Sequence, residues 1–230
     1  MSESLSAWQL IASGDATLVS IVRLSLTITL AAVAIAAVVG LPLGAFLALT
    51  RFPGRAALVV LLNGFMGLPP VVVGLTVYLL LSRSGPLGEF GLLFTPVAMV
   101  IAQALLVLPI IAALARQTIE DLWLEYRDEL TAMGVGPGGR VATLLWDSRF
   151  SLITALLAGF GRAAAEVGTV MIVGGNIEGF TRTMTTTIAL ETSKGDLPLA
   201  MGLGVILIGL ILAINAAAWG LRLWSEQRAA

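Results

Sequence analysis

The chain has 230 residues, 58% of them hydrophobic and 12% charged, with a net charge of −1 and a mean hydropathy of +0.98. An ordinary soluble domain carries about 25% charged residues, so this composition belongs in a lipid bilayer, and its near-zero charge gives no sign of a nucleic-acid partner. Histidine and cysteine are both absent, which excludes disulfides, thiolate and imidazole metal ligands and histidine-activated nucleophiles; no catalytic residue and no metal site is expected.

The amino end, Met1 to Val22, carries no Lys or Arg. The apolar run that follows is too long for the h-region of a cleaved signal, so it is expected to remain as a spanning helix. A span needs about 20 apolar residues. Five segments meet that length, at about 24–49, 57–81, 92–115, 150–173 and 199–221. The fold class is therefore an all-α integral membrane protein, one transmembrane domain over 1–230 with about five helices. Arg51-Phe52-Pro53-Gly54-Arg55 and Ser84-Gly85-Pro86-Leu87-Gly88 are turn sequences between spans. Gly40 and Gly44, and again Gly175 and Gly179, have the small-xxx-small spacing that lets helices approach closely. Pro69-Pro70 and Pro109 are expected to kink or interrupt their helices. The stretch 174–198 is too polar to span; a short helix over 184–193 is expected there, on the surface or dipping into the bundle.

Orientation follows from Lys and Arg in the loops. One side holds Arg51, Arg55, Arg116, Arg127, Arg140, Arg149, Arg222 and Arg228; the other holds Arg23, Arg83, Arg182 and Lys194. The richer side is expected to be cytoplasmic, with the amino end outside and the carboxyl end in the cytoplasm. The chain stops at Ala230, soon after Arg222, so no added regulatory domain is expected.

Residues 116–149 form the expected cytoplasmic loop. Glu120, Asp121, Glu125, Arg127, Asp128, Glu129, Arg140, Asp147 and Arg149 lie within it, about a third of all the charges. Asp128 to Met133 reads as a short amphipathic helix ending at Gly134, a natural C′ residue, and Gly136-Pro137-Gly138-Gly139 forbids its continuation. Such an element suits either a protein–protein joint or a plain solvated connector. The string Gly134-x-Gly136-x-x-Gly139 matches a dinucleotide fingerprint but follows no strand. The only lysine, Lys194, precedes Gly195 rather than Ser or Thr, so no nucleotide site is expected on this chain.

Arg162 and Glu166 are the ionisable residues inside a span, where each costs about 2.5–3.5 kcal/mol at a helix centre. Their i,i+4 spacing puts them on one helix face. They line a pathway or gate, or they form an internal clamp. Asn176, Thr181, Arg182, Thr183, Thr185 and Thr186 are a second candidate group. Hydroxyls replace part of an oxyanion's hydration without trapping it, and they equally well satisfy backbone at a helix end.

The 128–147 segment resembles the cytoplasmic signature of bacterial ABC importer permeases, Glu-Ala-Ala, three residues, Gly, then Ile-x-Leu-Pro after nine more. Asp128 falls at the Glu, Gly134 at the Gly and Leu144 at the Ile; Glu129 and Leu130 replace the alanines, and Trp146 and Asp147 replace Leu-Pro. The run Gly159-Phe160-Gly161-Arg162-Ala163-Ala164-Ala165-Glu166-Val167-Gly168 resembles the helix that follows in oxyanion importer permeases. Val173-Gly174-Gly175-Asn176-Ile177, Thr185 to Asp196, Leu68 to Leu75 and Leu81 to Gly88 are similar to the tungstate branch.

The resemblance implies a type I importer permease in a bacterial or archaeal cytoplasmic membrane. It implies a second copy of the chain, a cytosolic ABC ATPase dimer that holds ATP and Mg, and an extracytoplasmic oxyanion-binding protein. No cofactor is implied on this chain. Asp128, Glu129, Thr131, Ala132, Met133 and Gly134 would be the coupling helix, with Glu129 and Met133 touching the ATPase. Tungstate is the first expectation for the cargo, molybdate or sulfate the alternatives. An ATPase-independent secondary anion transporter is the competing class; an intramembrane enzyme lacks its His, Cys or clustered acids.

Overall fold

A computed structural model describes residues 16–229, with side chains as far as Gly220. The amino end before Ala16 lies outside the described residues, as do the side chains of Arg222 and Arg228. The described residues form nine α-helices and no strand. They are α1 (Ala16–Leu49), α2 (Arg55–Phe65), α3 (Pro70–Leu81), α4 (Pro96–Ala132), α5 (Pro137–Asp147), α6 (Arg149–Ala164), α7 (Gly168–Gly174), α8 (Met184–Lys194) and α9 (Leu197–Ala229). In lipid every backbone polar group needs an internal partner, and helices supply it within one segment. Three helices, α1, α4 and the Leu197–Gly220 part of α9, are long and apolar enough to cross a membrane, or up to five segments if each of two bent pairs is one span.

The stretch 57–81 is two helices, α2 and α3, bent by 103° at residues 66–69. Pro69-Pro70 causes the break: proline disfavours helix in the residue before it, and Pro70 opens α3 where its missing N–H costs nothing. Pro109 lies inside an uninterrupted α4. The run 150–173 is likewise divided, into α6 and α7, with 165–167 between them. A 74° corner joins α5 to α6. Its residue Ser148 is buried and donates Oγ–H to the Leu144 carbonyl at 2.6 Å.

Residues 116–132 continue α4 rather than beginning a loop. No Gly or Pro falls between Pro109 and Gly134, so the charges there end the apolar run without ending the helix. At 37 residues α4 is about 55 Å long against about 30 Å of hydrocarbon, which leaves its charged end clear of lipid.

The chain divides into two compact units. The charged unit is Ala32–Pro69 with Ala104–Ala163. There α1 crosses α4 at close range, because Gly44 presents bare backbone: a Cβ on it would lie 2.6 Å from the Ala112 carbonyl oxygen. Gly40 faces Ile111 on the same seam, so the first small-residue pair does pack helices. Around it sit Ala36, Val107, Ile111 and Ala163, and further along Ala45, Ala48, Ile119, Leu130 and Leu144, all buried.

An ion triad ties three helices of this unit. Arg55 donates Nη2 to Glu120 Oε1 at 2.7 Å and Nε to the Leu47 carbonyl at 2.7 Å, while Arg116 donates Nη1 to Glu120 Oε2. Glu120 thus belongs to the scaffold, not to a free charged surface. Glu120→Ala strips two half-buried guanidinium groups of their shared partner. A loss of about 2 kcal/mol is expected, between exposed and buried pairs. It will show as a lower thermal midpoint in detergent; an unchanged midpoint would mean the triad adds nothing.

The threonine unit holds the residues to Ala31, Pro70–Gln103 and those from Ala164. In it α3 packs on α7 and α8 on α9. Thr169 Oγ1 donates to the Pro70 carbonyl at 2.6 Å, and Phe94 N–H donates to the Val173 carbonyl at 2.9 Å. The helix read at 184–193 is α8, and its amino-terminal half is buried. Gly175 and Gly179 form no helix seam; both have φ of +72° in the turn that follows α7.

Candidate functional site

The island residues Asp128, Glu129, Thr131, Ala132, Met133 and Gly134 are all exposed at the far end of α4. They do not form a separate short helix; they are its last turn and the cap that stops it. Gly134 has φ of +68°, Gly134 N–H donates to the Thr131 carbonyl and Val135 N–H to the Leu130 carbonyl, both at 3.0 Å. That pair of bonds is a Schellman cap with Gly134 at C′. Its hydrophobic partner contact is present too, with Val135 packed against the cluster that contains Leu130.

The turn is then braced from the far side. Arg140 donates Nε to the Val135 carbonyl at 2.8 Å, and its guanidinium lies 5.3 Å from the centre of the Trp123 ring. Leu144, fully buried, folds amphipathic α5 back against Leu130, Ile119 and Ala45. The result is a rigid tip carrying Met133 at 76% exposure, flanked by the Asp128 and Glu129 carboxylates. Beside them, Arg127 Nε lies 3.3 Å from the Asp128 carboxylate. Two further exposed apolar residues in this segment, Leu124 and Trp146, were not singled out in the sequence. Trp146 registers there only as a departure from Leu-Pro, and its surface position shows once α5 turns into α6.

The pathway candidates fall elsewhere. Arg162 lies in the last turn of α6, while Glu166 lies beyond that helix's end at Ala164. Their i,i+4 spacing therefore does not run along one continuous helix. Glu166 is 3% exposed, and its Oε1 accepts the Thr169 N–H at 2.9 Å, capping α7. Its backbone carbonyl accepts the Thr185 hydroxyl at 2.8 Å. One residue thus caps α7 and holds the start of α8.

The threonine hydroxyls each have a protein partner. Thr181 donates to the Gly174 carbonyl at 2.5 Å and accepts from Ile177 N–H at 2.9 Å. Thr186 Oγ1 accepts the Thr183 N–H at 2.9 Å, closing the capping box of α8, and Thr183 Oγ1 lies 3.3 Å from Thr185 Oγ1. Ser25 of α1 accepts the Met184 N–H at 2.8 Å. All four threonines are buried. Thr183 and Thr186 form the capping box of α8, while Thr181 and Thr185 donate to the carbonyls of Gly174 and Glu166. Asn176, at φ of +50°, and Arg182, paired with Glu178 at 3.3 Å, lie in the turn between α7 and α8. Thr186→Val keeps the shape and removes the cap acceptor; it is expected to cost about 1 kcal/mol, measured as a lower thermal midpoint.

No family model matches the chain. It is 44% identical over 205 residues to a probable anion ABC transporter permease of Haloferax volcanii, covering 86% of this chain and 88% of that one. The chain belongs to the permease subunits of ABC anion transporters. This permease is also 40% identical over 217 residues to a tungstate uptake permease of Peptoclostridium acidaminophilum, covering 94% and 95% of the two chains. A tungstate uptake permease of Campylobacter jejuni matches at 43% over 150 residues, 65% of this permease and 63% of that chain. This permease is thus a multi-pass membrane protein and a transport subunit rather than an enzyme.

Proposed function

We propose that this permease forms the membrane pathway of an ATP-driven importer for tungstate. The likeness to two tungstate uptake permeases at 40% and 43% identity carries this reading. Molybdate and sulfate have the same tetrahedral dianionic shape and are the alternative cargoes. Two copies of the chain enclose the pathway, because five spans surround little space. A cytosolic ATPase dimer holds ATP and Mg, and an extracytoplasmic protein delivers the anion. The charged tip faces the cytoplasm and the amino end faces out, in agreement with the excess of arginine on the tip's side.

Within this reading Asp128, Glu129, Thr131, Ala132, Met133 and Gly134 transmit the ATPase stroke. The exposed, braced tip supports that role, since a stroke delivered to a loose loop would be absorbed there. Arg162, Glu166, Asn176, Thr181, Arg182, Thr183, Thr185 and Thr186 line or position the pathway. Glu166 and the threonines do so by setting where α7 and α8 begin; an arginine offers the anion transient attraction.

The experiment is purification of the chain from its native membrane in mild detergent, followed by uptake assays. The ATPase subunit is expected to stay bound to the native chain and to be lost when residues 128–134 are scrambled. Cells lacking the chain are expected to lose tungstate uptake and keep molybdate and sulfate uptake. Loss of one of the other two anions instead would reassign the cargo. Anion transport by the chain alone in liposomes, without ATP, would overturn the ATP-driven reading.

A further inference from the structure

Beside the tip lies a cleft of about 400 Å³, lined by Pro42, Phe46, Leu49, Trp123, Arg140 and Val141 among others, all within the charged unit. Its lining contains one charged group, Arg140, and no carboxylate. Arg140 spends Nε on the Val135 carbonyl and holds its guanidinium 5.3 Å from the centre of the Trp123 ring, which fixes its charge in the lining of the cleft. The cleft is the end of a longer feature. Ile35, Val39, Pro42, Phe46 and Leu49 recur at alternating steps of four and three, so they form one face of α1. The first four are exposed. This apolar stripe runs along a helix that crosses the membrane and leads into the cleft where α1 ends, at Leu49.

We propose that an anionic phospholipid of the cytoplasmic leaflet occupies this cleft, its acyl chain along the α1 stripe and its phosphate on Arg140. An exposed apolar stripe on a helix long enough to span, leading to a single fixed cation in the cleft at its end, matches an anionic lipid from tail to headgroup. Basic pockets at the cytoplasmic ends of membrane helices bind such headgroups. The bound phosphate would sit on the same side chain that braces the Schellman turn, so lipid occupancy stiffens the tip. The inference rests on the cytoplasmic placement of the tip proposed above, not on the cargo.

The test uses the permease with its ATPase partner, purified in mild detergent and titrated with phosphatidylglycerol or phosphatidylcholine, with bound lipid counted by native mass spectrometry. The native protein is expected to retain phosphatidylglycerol in preference. Arg140→Gln should weaken that retention about fivefold, the loss expected from about 1 kcal/mol per basic residue at an anionic surface. Gly138→Trp should do the same with Arg140 intact. A Cβ at Gly138 meets no atom within 4 Å, so the indole has room to fill the cleft. Arg51→Gln, one residue past Thr50 in the lining, serves as the control and should retain the lipid. Equal retention in all four proteins would overturn the proposal. So would protection of a cysteine at position 138 by the ATPase or by a second permease copy rather than by lipid. A cysteine at position 133, labelled in sealed cells, reads the side of the membrane separately, so a wrong orientation and an empty cleft give different results.

Discussion

Gly134→Val is expected to cut anion uptake at least tenfold while the amount of permease in the membrane falls less than about twofold. Gly134 stands at φ of +68°, and a Cβ added there meets no atom within 4 Å. Nothing clashes; the cost is conformational. A left-handed L-residue costs about 1–2 kcal/mol, more with a β-branch, against a total stability of about 5–15 kcal/mol. The protein therefore folds, but the turn relaxes by giving up the bonds from Gly134 to Thr131 and from Val135 to Leu130. Met133 and the two carboxylates then point elsewhere. On the docking role proposed for them, misplacing these residues costs about 2 kcal/mol or more, roughly thirtyfold in affinity. Gly134→Asn should retain most uptake, because asparagine tolerates the left-handed region, and Gly134→Ala should fall between. Full uptake by the valine variant would show that the tip's direction is irrelevant to transport. Co-purification of the ATPase with each variant checks whether lost uptake tracks lost docking.

The cap at Gly134 was legible because its chemistry is local: a glycine follows the helix and Gly-Pro prevents resumption. The continuity of α4 into that cap was missed, although nothing between Pro109 and Gly134 breaks a helix. Charge invited the opposite inference, because leaving lipid and leaving a helix coincide in most membrane proteins. The division between α6 and α7 is a different matter. The run 150–173 is apolar apart from Arg162 and Glu166 and holds no proline, and the bond from the Thr169 N–H to the Glu166 carboxylate at the break shows only in the fold. The threonines were legible as a group and illegible as individuals. Thr185 bonds a carbonyl 19 residues back and Thr181 one seven residues back, pairings set by the tertiary fold rather than by local spacing. Glu120 shows the same limit in the charged segment: its partner Arg55 lies 65 residues away. A charge run in sequence thus mixes scaffold residues with surface residues, and only packing separates Glu120 from Glu129.

Gly44→Ala is expected to prevent the permease from accumulating, whereas Gly40→Ala four residues earlier is tolerated. Both positions gain the same helix propensity, about 1 kcal/mol over glycine, so the difference isolates packing. At Gly44 the new Cβ would lie 2.6 Å from the Ala112 carbonyl oxygen, 2.8 Å from the Arg116 nitrogen and 2.9 Å from the Ala115 Cβ. Two of these are backbone atoms of α4, which no rotamer change moves, so the helices themselves must separate. Overpacking of a fixed seam costs about 3 kcal/mol, and here it also lengthens the Arg55–Glu120 bridge that the same crossing sets. At Gly40 the nearest atoms are the Ile111 Cγ2 at 3.3 Å and two backbone atoms at 3.4 Å, a contact that a few tenths of an ångström relieves. Membrane yield and thermal midpoint in detergent check both variants. The double variant Gly44→Ala/Ala115→Gly removes only the 2.9 Å contact and leaves both backbone clashes in place, so it should remain impaired. Its rescue would mean that α4 yields at Ala112 and Arg116, and that side chains rather than backbone set the approach of α1 to α4.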